Sequence, residues 1–226
     1  MPRAAVRATR RRARATRGLL VTVEGVDGSG KSTFAHGLAD ALRGRGLDVE
    51  ETCEPTRTWL GEVVRKALVL DEPPIVDALL FMADHAAHVP RVHALIERGI
   101  VVVSDRWSDS TIAYQGAALA RSVPRARAWL RAAEAAFDLR PDVTFLLDIP
   151  PKEALARIGA RAVREKFERA TFLATVRANY RALARAEPQR FTVLDARRPT
   201  AELVGVATAR VLRGRVLPTK APREPS

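Results

Sequence analysis

A single cysteine, Cys53, stands among 226 residues. No disulfide can close within the chain and no cysteine-based metal site can be built, so the expected setting is a reducing cytoplasm. No run of about 18 apolar residues occurs, which argues against a membrane-spanning helix. Aromatic residues make up only 5%, and none are interleaved along a basic face as single-stranded nucleic-acid binders require. Lysine is scarce as well, with five beside 33 arginines. A lysine at a motif position is therefore not compositional background.

What remains is a chain of 47% hydrophobic residues, enough for one domain with a full core. The net charge is 38 − 26 = +12, and residues 1–17 hold seven arginines and no acid, leaving +5 for the rest. That segment lacks the apolar centre of a secretion signal and the serines of a transit peptide. It reads as a disordered basic arm, with an arm for nucleic acid or another anionic surface as the sharper alternative. Residues 214–226 are rich in proline and polar groups and read as a flexible tail. Residues 18–213 remain as the domain.

Within it, strand and helix signals alternate, with no internal repeat. Strands are expected at 19–24, 48–53, 100–104, 143–148 and 191–194. Helices are expected at 32–45, 60–70, 75–98 (bent at Pro90), 125–137, 152–158, 167–185 and 201–212. This pattern implies an α/β fold, a five-stranded parallel sheet flanked by helices on both faces. Ligands of such sheets bind beyond the carboxyl ends of the strands. The chemically suggestive segments 25–32, 54–58, 105–116 and 148–151 all follow strands and should gather there.

The first of them, EGVDGSGKST at 24–33, has the spacing of a phosphate-binding loop between an apolar strand and an amphipathic helix. Its residues Gly25, Val26, Asp27, Gly28, Ser29, Gly30, Lys31, Ser32 and Thr33 would wrap a nucleoside triphosphate. Backbone N–H groups and the helix N-terminus supply positive potential. Lys31 reaches the outer phosphates, and Ser32 offers a ligand to Mg²⁺. Asp27 is an unusual anion beside a triphosphate, which suits a residue facing a second ligand.

The second motif is DRWSDSTIAYQG at 105–116. Together the two resemble the thymidylate kinase family, whose pattern runs E-G-x-D-G-x-G-K-S-T and then D-R-aromatic-x-x-S-x-x-A-Y-Q-G. LLFMAD at 79–84, RPDVTFLLDIPP at 140–151 and KFE with a later tyrosine at 166–180 extend the likeness over about residues 18–213. The resemblance implies a three-layer phosphate-loop kinase fold with a short lid at 157–168. It also implies ATP with Mg²⁺ as donor, dTMP as acceptor, and a homodimer. Asp105, ending a strand near the loop, would hold Mg²⁺ with Ser32, and Arg106 is a planar, permanently charged grip for a monophosphate. Phe81 becomes the stacking platform for the base. Tyr114 walls off the sugar 2′ position and so favours deoxyribose, and Ser110 and Gln115 join the acceptor site. The loop carries Gly28 rather than an arginine, and family members of that kind place a catalytic arginine in the lid. Arg161 is the first choice, followed by Arg157 and Arg164.

Two positions depart from the family pattern. His85 stands four residues after Phe81, where an arginine usually reads the base, and it is taken here as the replacement reader. Cys53 precedes Glu54-Pro55, where an arginine often holds the monophosphate, and Arg57 is the candidate substitute. Base selectivity is thus open between dTMP and a broader range of monophosphates. A phosphate-loop ATPase or switch and a nucleic-acid binder stand as readings from other classes. The arginine-bearing second motif speaks against the former, and the placement of most of the excess charge in the arm against the latter.

Overall fold

The computed structural model describes residues 17–70, 72–158 and 170–213. The basic arm, most of the expected lid with Arg161 and Arg164, and the C-terminal tail lie outside these. Five strands, β1 (Leu20–Glu24), β2 (Val49–Cys53), β3 (Val101–Asp105), β4 (Val143–Asp148) and β5 (Phe191–Asp195), form one sheet in the order β2-β3-β1-β4-β5, parallel throughout. The helices are α1 (Lys31–Arg43), α2 (Trp59–Ala67), α3 (Pro74–Glu97), α4 (Ser108–Ala118), α5 (Ala126–Glu134), α6 (Pro151–Ile158), α7 (Ala170–Ala186) and α8 (Thr200–Arg213).

Strand parity decides what each face carries. Val21 and Val23 pack in the main core with Phe34 and Leu38 of α1. Leu20 and Val102 point to the other face and join Trp107, Val92 and Ile96. Thr22 and Glu24 share that second face by their even spacing from Leu20. Both are fully buried, and Thr22 Oγ1 meets Thr144 Oγ1 at 2.7 Å. The second face therefore has a polar seam through its centre.

Local chemistry sets the element ends. Helix α1 starts after Gly30, whose φ of 90° is left-handed and favours glycine. Its buried Phe34, Ala35, Leu38, Ala39 and Leu42 keep helical spacing, and the helix stops where the Gly44 N–H turns back to the Asp40 carbonyl at 2.9 Å. Helix α3 opens on Pro74 in its first turn, where no N–H is needed, and runs on through Pro90 as one element of 24 residues.

Because every strand runs the same way, the loops after β1, β2, β3 and β4 share one edge, as the sequence pattern implies. None of the helices among the described residues is long and apolar enough to cross a membrane.

Candidate active site

The loop leaving β1 turns on three glycines with positive φ: Gly25 (145°), Gly28 (80°) and Gly30 (90°). At Gly25 a Cβ would lie 2.6 Å from the Leu147 carbonyl oxygen, and at Gly28 2.2 Å from that of Ala154. The second contact brings α6 against the phosphate loop. No arginine fits at position 28 while α6 stays there, and the same contact places the start of the 157–168 segment beside the loop. Arg157, near the end of α6, is exposed.

Lys31 is buried at the start of α1, with Nζ donating to the Val26 carbonyl at 3.0 Å. Burial, and then the neighbouring Arg106 guanidinium, push its pKa down to about 8. Nζ also lies 3.7 Å from Asp27 Oδ1. The same Asp27 oxygen receives Nη2 of Arg106. Lys31 from the loop after β1 and Arg106 from the loop after β3 thus meet on one carboxylate oxygen. Burial opposes ionisation of Asp27, but Arg106 and Lys31 outweigh it and hold the carboxyl below its usual range. Tyr114 fixes Asp27 from the other side, its hydroxyl donating to Oδ2 at 3.0 Å and accepting from the Asp27 N–H at 3.0 Å.

Arg106 itself has φ 75°, a left-handed conformation that costs a non-glycine residue about 1–2 kcal/mol. Three contacts hold it there. Its N–H donates to Val23 O at 3.0 Å, its carbonyl accepts Ser104 Oγ at 2.6 Å, and the next N–H, of Trp107, donates to Glu24 Oε1 at 2.8 Å. Its guanidinium donates to Ser110 Oγ at 3.2 Å and lies over the Tyr114 ring, 4.9 Å from the centroid.

Beside this pair of cations opens a cavity of about 270 Å³. Among the residues singled out from sequence, Asp27, Phe81, Arg106, Ser110, Tyr114 and Gln115 line it. Pro55 and Thr111, inside the segments 54–58 and 105–116 but assigned no role of their own, line it too, as do Arg65 and Leu68, which sequence reasoning missed. Arg65 falls one helical turn after Gly61 on α2, a face that hydrophobic spacing alone does not mark. The buried Oε1 of Gln115 has no hydrogen-bond partner among the described residues.

Two expectations shift. His85 does not line this cavity. It is fully buried, with Nδ1 2.8 Å from Glu54 Oε1 and Nε2 3.0 Å from Asp138 Oδ1, and its ring packs edge-on against Trp107 at 4.6 Å. Burial opposes its charge, yet Glu54 and Asp138 raise its pKa to about 10. A histidine is shorter than an arginine, and here it is spent on two carboxylates behind the pocket wall. His88 Nδ1 meets the same Glu54 oxygen at 2.9 Å. Arg57 also lies off the acceptor cavity. It sits by Cys53, in an adjoining cavity lined by Ser32, Asp105 and His88, where it offsets part of the rise that burial imposes on the thiol pKa.

That adjoining cavity holds the expected metal pair. Ser32 Oγ donates to Asp105 Oδ2 at 2.5 Å. The other carboxylate oxygen, Oδ1, is buried with no partner among the described residues. An unsatisfied carboxylate oxygen beside a hydroxyl is a hard donor set that suits Mg²⁺, which takes few protein ligands and keeps waters and phosphates.

A phosphate loop and a guanidinium facing it across the carboxyl edge of a parallel sheet define a nucleotide-binding phosphotransferase. The thymidylate kinase family model matches residues 23–205. A probable thymidylate kinase of Methanoculleus marisnigri is 42% identical over 206 residues, covering 91% of this chain and all of that protein. One from Halobacterium salinarum is 44% identical over 194 residues, covering 84% and 94%. One from Methanosarcina mazei is 40% identical over 198 residues, covering 87% and 96%. The chain belongs to the thymidylate kinase family, a family of nucleoside monophosphate kinases.

Proposed function

We propose that the protein transfers the γ-phosphoryl group of ATP to dTMP, giving dTDP and ADP, by direct in-line displacement. The observation that carries this reading is the meeting of Lys31 and Arg106 on Asp27 Oδ1, beside a cavity walled by Phe81 and Tyr114. Two anions held by these cations lie close enough for a phosphoryl group to pass between them. Loop N–H groups and Lys31 hold the donor phosphates. Arg106 holds the acceptor phosphate, whose oxygen attacks the γ-phosphorus while the bond to the β,γ-bridging oxygen breaks. No protein nucleophile takes part, and positioning and charge carry the catalysis. Ser32 and Asp105 would hold Mg²⁺, which when bound offsets charge on the transferred phosphates.

In the acceptor cavity the base stacks on Phe81, and the free Gln115 Oε1 accepts from its ring N–H. The Tyr114 ring, held by Asp27, leaves no room for a 2′-hydroxyl. The family likeness and the place of α6 beside the loop support a catalytic arginine in the 157–168 segment. Arg161→Ala is expected to lower kcat by about 10²–10³-fold, the cost of one lost charge stabiliser, with the KM for dTMP unchanged. Near-normal turnover would remove Arg161 from the mechanism. The same likeness supports a homodimer. Exposed large apolar side chains lie on and after α2 (Trp59, Val63, Val69, Leu70), with Leu79 on α3.

His85 is proposed as a support for the Glu54–Pro55 wall rather than as a base reader. His85→Ala is expected to leave the ratio of kcat/KM for dTMP over dUMP within a factor of about two while destabilising the fold by about 3–5 kcal/mol, as loss of one partner of a buried ion pair does. The sign with pH follows from the raised pKa. The contribution is complete below pH 6.5 and is lost as pH rises towards about 10. Wild type and variant should therefore converge in denaturant midpoint across that window. A changed base ratio with unchanged stability would restore the base-reading role.

The kinase reading is tested by ADP release with ATP, Mg²⁺ and a panel of monophosphates. Release that depends on dTMP and falls for dUMP, dCMP and dGMP is expected. Release without any monophosphate would favour an ATPase, and equal rates on all four would refute thymine selectivity.

A further inference from the structure

Glu24 has no role in the transfer described above, yet it is the one carboxyl group completely enclosed at the carboxyl end of the central strand. A buried carboxyl is costly unless its hydrogen bonds are met. Here two of the three partners bear directly on Arg106, and the third, Tyr180, contacts one of those two. Oε1 accepts the N–H of Trp107 at 2.8 Å, which fixes the peptide that follows the left-handed Arg106. Oε2 lies 2.6 Å from Ser110 Oγ, the oxygen that receives Nη1 of Arg106, and 2.9 Å from the Tyr180 hydroxyl of α7. Ser110 Oγ and the Tyr180 hydroxyl are themselves 2.8 Å apart.

We infer that Glu24 is a positioning residue: it holds both the backbone and the side chain of Arg106 in the pose that presents the guanidinium to the acceptor phosphate. The strain at Arg106 gives this content. A residue in a sparsely populated conformation stays there only while its surroundings over-determine it. Two of the other ties, from Val23 and Ser104, act on the main chain alone. Glu24 acts on the main chain through Trp107 and on the guanidinium through Ser110. It also directly precedes Gly25, so one side chain sets the second anion pocket relative to the strand that starts the first.

The charge state fits a holding role. Burial, with Asp109 close by, pushes the Glu24 pKa up to about 8 despite the opposing pull of Ser110, Arg106 and Tyr180. A neutral carboxyl supplies a third proton for the three contacts among Oε2, Ser110 Oγ and the Tyr180 hydroxyl. Glutamine offers the same carbonyl to Trp107 and N–H donors to the two hydroxyls, and alanine offers neither.

The inference rests on the reading of Arg106 as the acceptor-phosphate grip. It is tested by titrating dTMP and thymidine, which differ by that phosphate, into wild type, Glu24→Gln, Glu24→Ala and Tyr180→Phe. Glu24→Ala is expected to weaken dTMP binding by at least about 10-fold, the loss of a charge-assisted contact, with thymidine affinity and the KM for ATP unchanged. Glu24→Gln should restore dTMP affinity to within about threefold, and Tyr180→Phe should give a smaller loss that is again confined to dTMP. Wild-type dTMP affinity in Glu24→Ala would overturn the inference, as would equal losses for dTMP and thymidine. Should Glu24→Ala not fold, an unchanged dTMP-over-thymidine ratio in Tyr180→Phe would overturn it. Turnover by wild type judges the kinase reading separately, since the phosphate increment in binding needs no catalysis.

Discussion

Lys31→Ala is expected to cut kcat by about 10³-fold or more, with the protein still folded and still binding dTMP. Lys31 is buried, its ammonium is tied to the Val26 carbonyl at 3.0 Å, and it stands 3.7 Å from the carboxylate it shares with Arg106. It is the one side-chain cation of the phosphate loop, and the loop's remaining donors are neutral N–H groups. Charge on the transferred phosphoryl group grows and shifts during transfer, so removing a fixed cation raises the barrier more than it weakens binding. Its depressed pKa of about 8 comes from burial and from Arg106. An anion between the two cations relieves that repulsion, so bound nucleotide should raise the pKa and keep the ammonium charged at neutral pH. Single-turnover measurements with saturating ATP check this. A variant within about threefold of wild type would place the donor phosphates elsewhere.

Arg106→Ala is expected to act on the other substrate. Two charge-assisted hydrogen bonds to a phosphate, at about 1.5–3 kcal/mol each, correspond to roughly 10²–10⁴-fold in kcat/KM for dTMP. The KM for ATP should change little. Arg106→Lys should recover only part of the loss, because an ammonium keeps the charge but not the planar pair of donors that now serves Asp27 and Ser110. Loss of the bulky partner also frees Asp27, whose carboxyl is held ionised chiefly by Arg106, so Asp27 should titrate higher in the alanine variant. Steady-state kinetics with each substrate varied in turn separate the two pockets. An equal rise in both KM values would mean that Arg106 shapes the whole site rather than gripping one phosphate.

Much of this arrangement was legible in the residues. The apolar runs that became β1, β3 and β4 are short and rich in valine and leucine, as strands buried on both faces must be. The glycine spacing marked the phosphate loop because φ values of 80–145° there are hard for any other residue. Boundaries slipped by up to three residues where a turn continued a helical pattern, as at residues 68–70, where helicity was expected beyond the end of α2 at Ala67.

What stayed hidden depends on three-dimensional neighbours. The family pattern, with a base-reading arginine four residues after the stacking phenylalanine, suggested that His85 faces the base. The neighbours that decide otherwise, Glu54 and Asp138, are 31 and 53 residues away. Arg65 enters the pocket from α2 with no motif to flag it. Glu24 carried a faint signal: an acid closing an otherwise uncharged strand, LVTVE, at the one edge where ligands bind.

The central claim, that donor and acceptor anion pockets face each other across Asp27, is tested most directly by a bisubstrate ligand. Adenosine and thymidine joined through five phosphates should bind at least about 10²-fold more tightly than ATP or dTMP alone, since linked groups meet a high effective concentration. That gain should disappear in Arg106→Ala. Affinity no better than that of ATP, and indifferent to Arg106, would contradict the account.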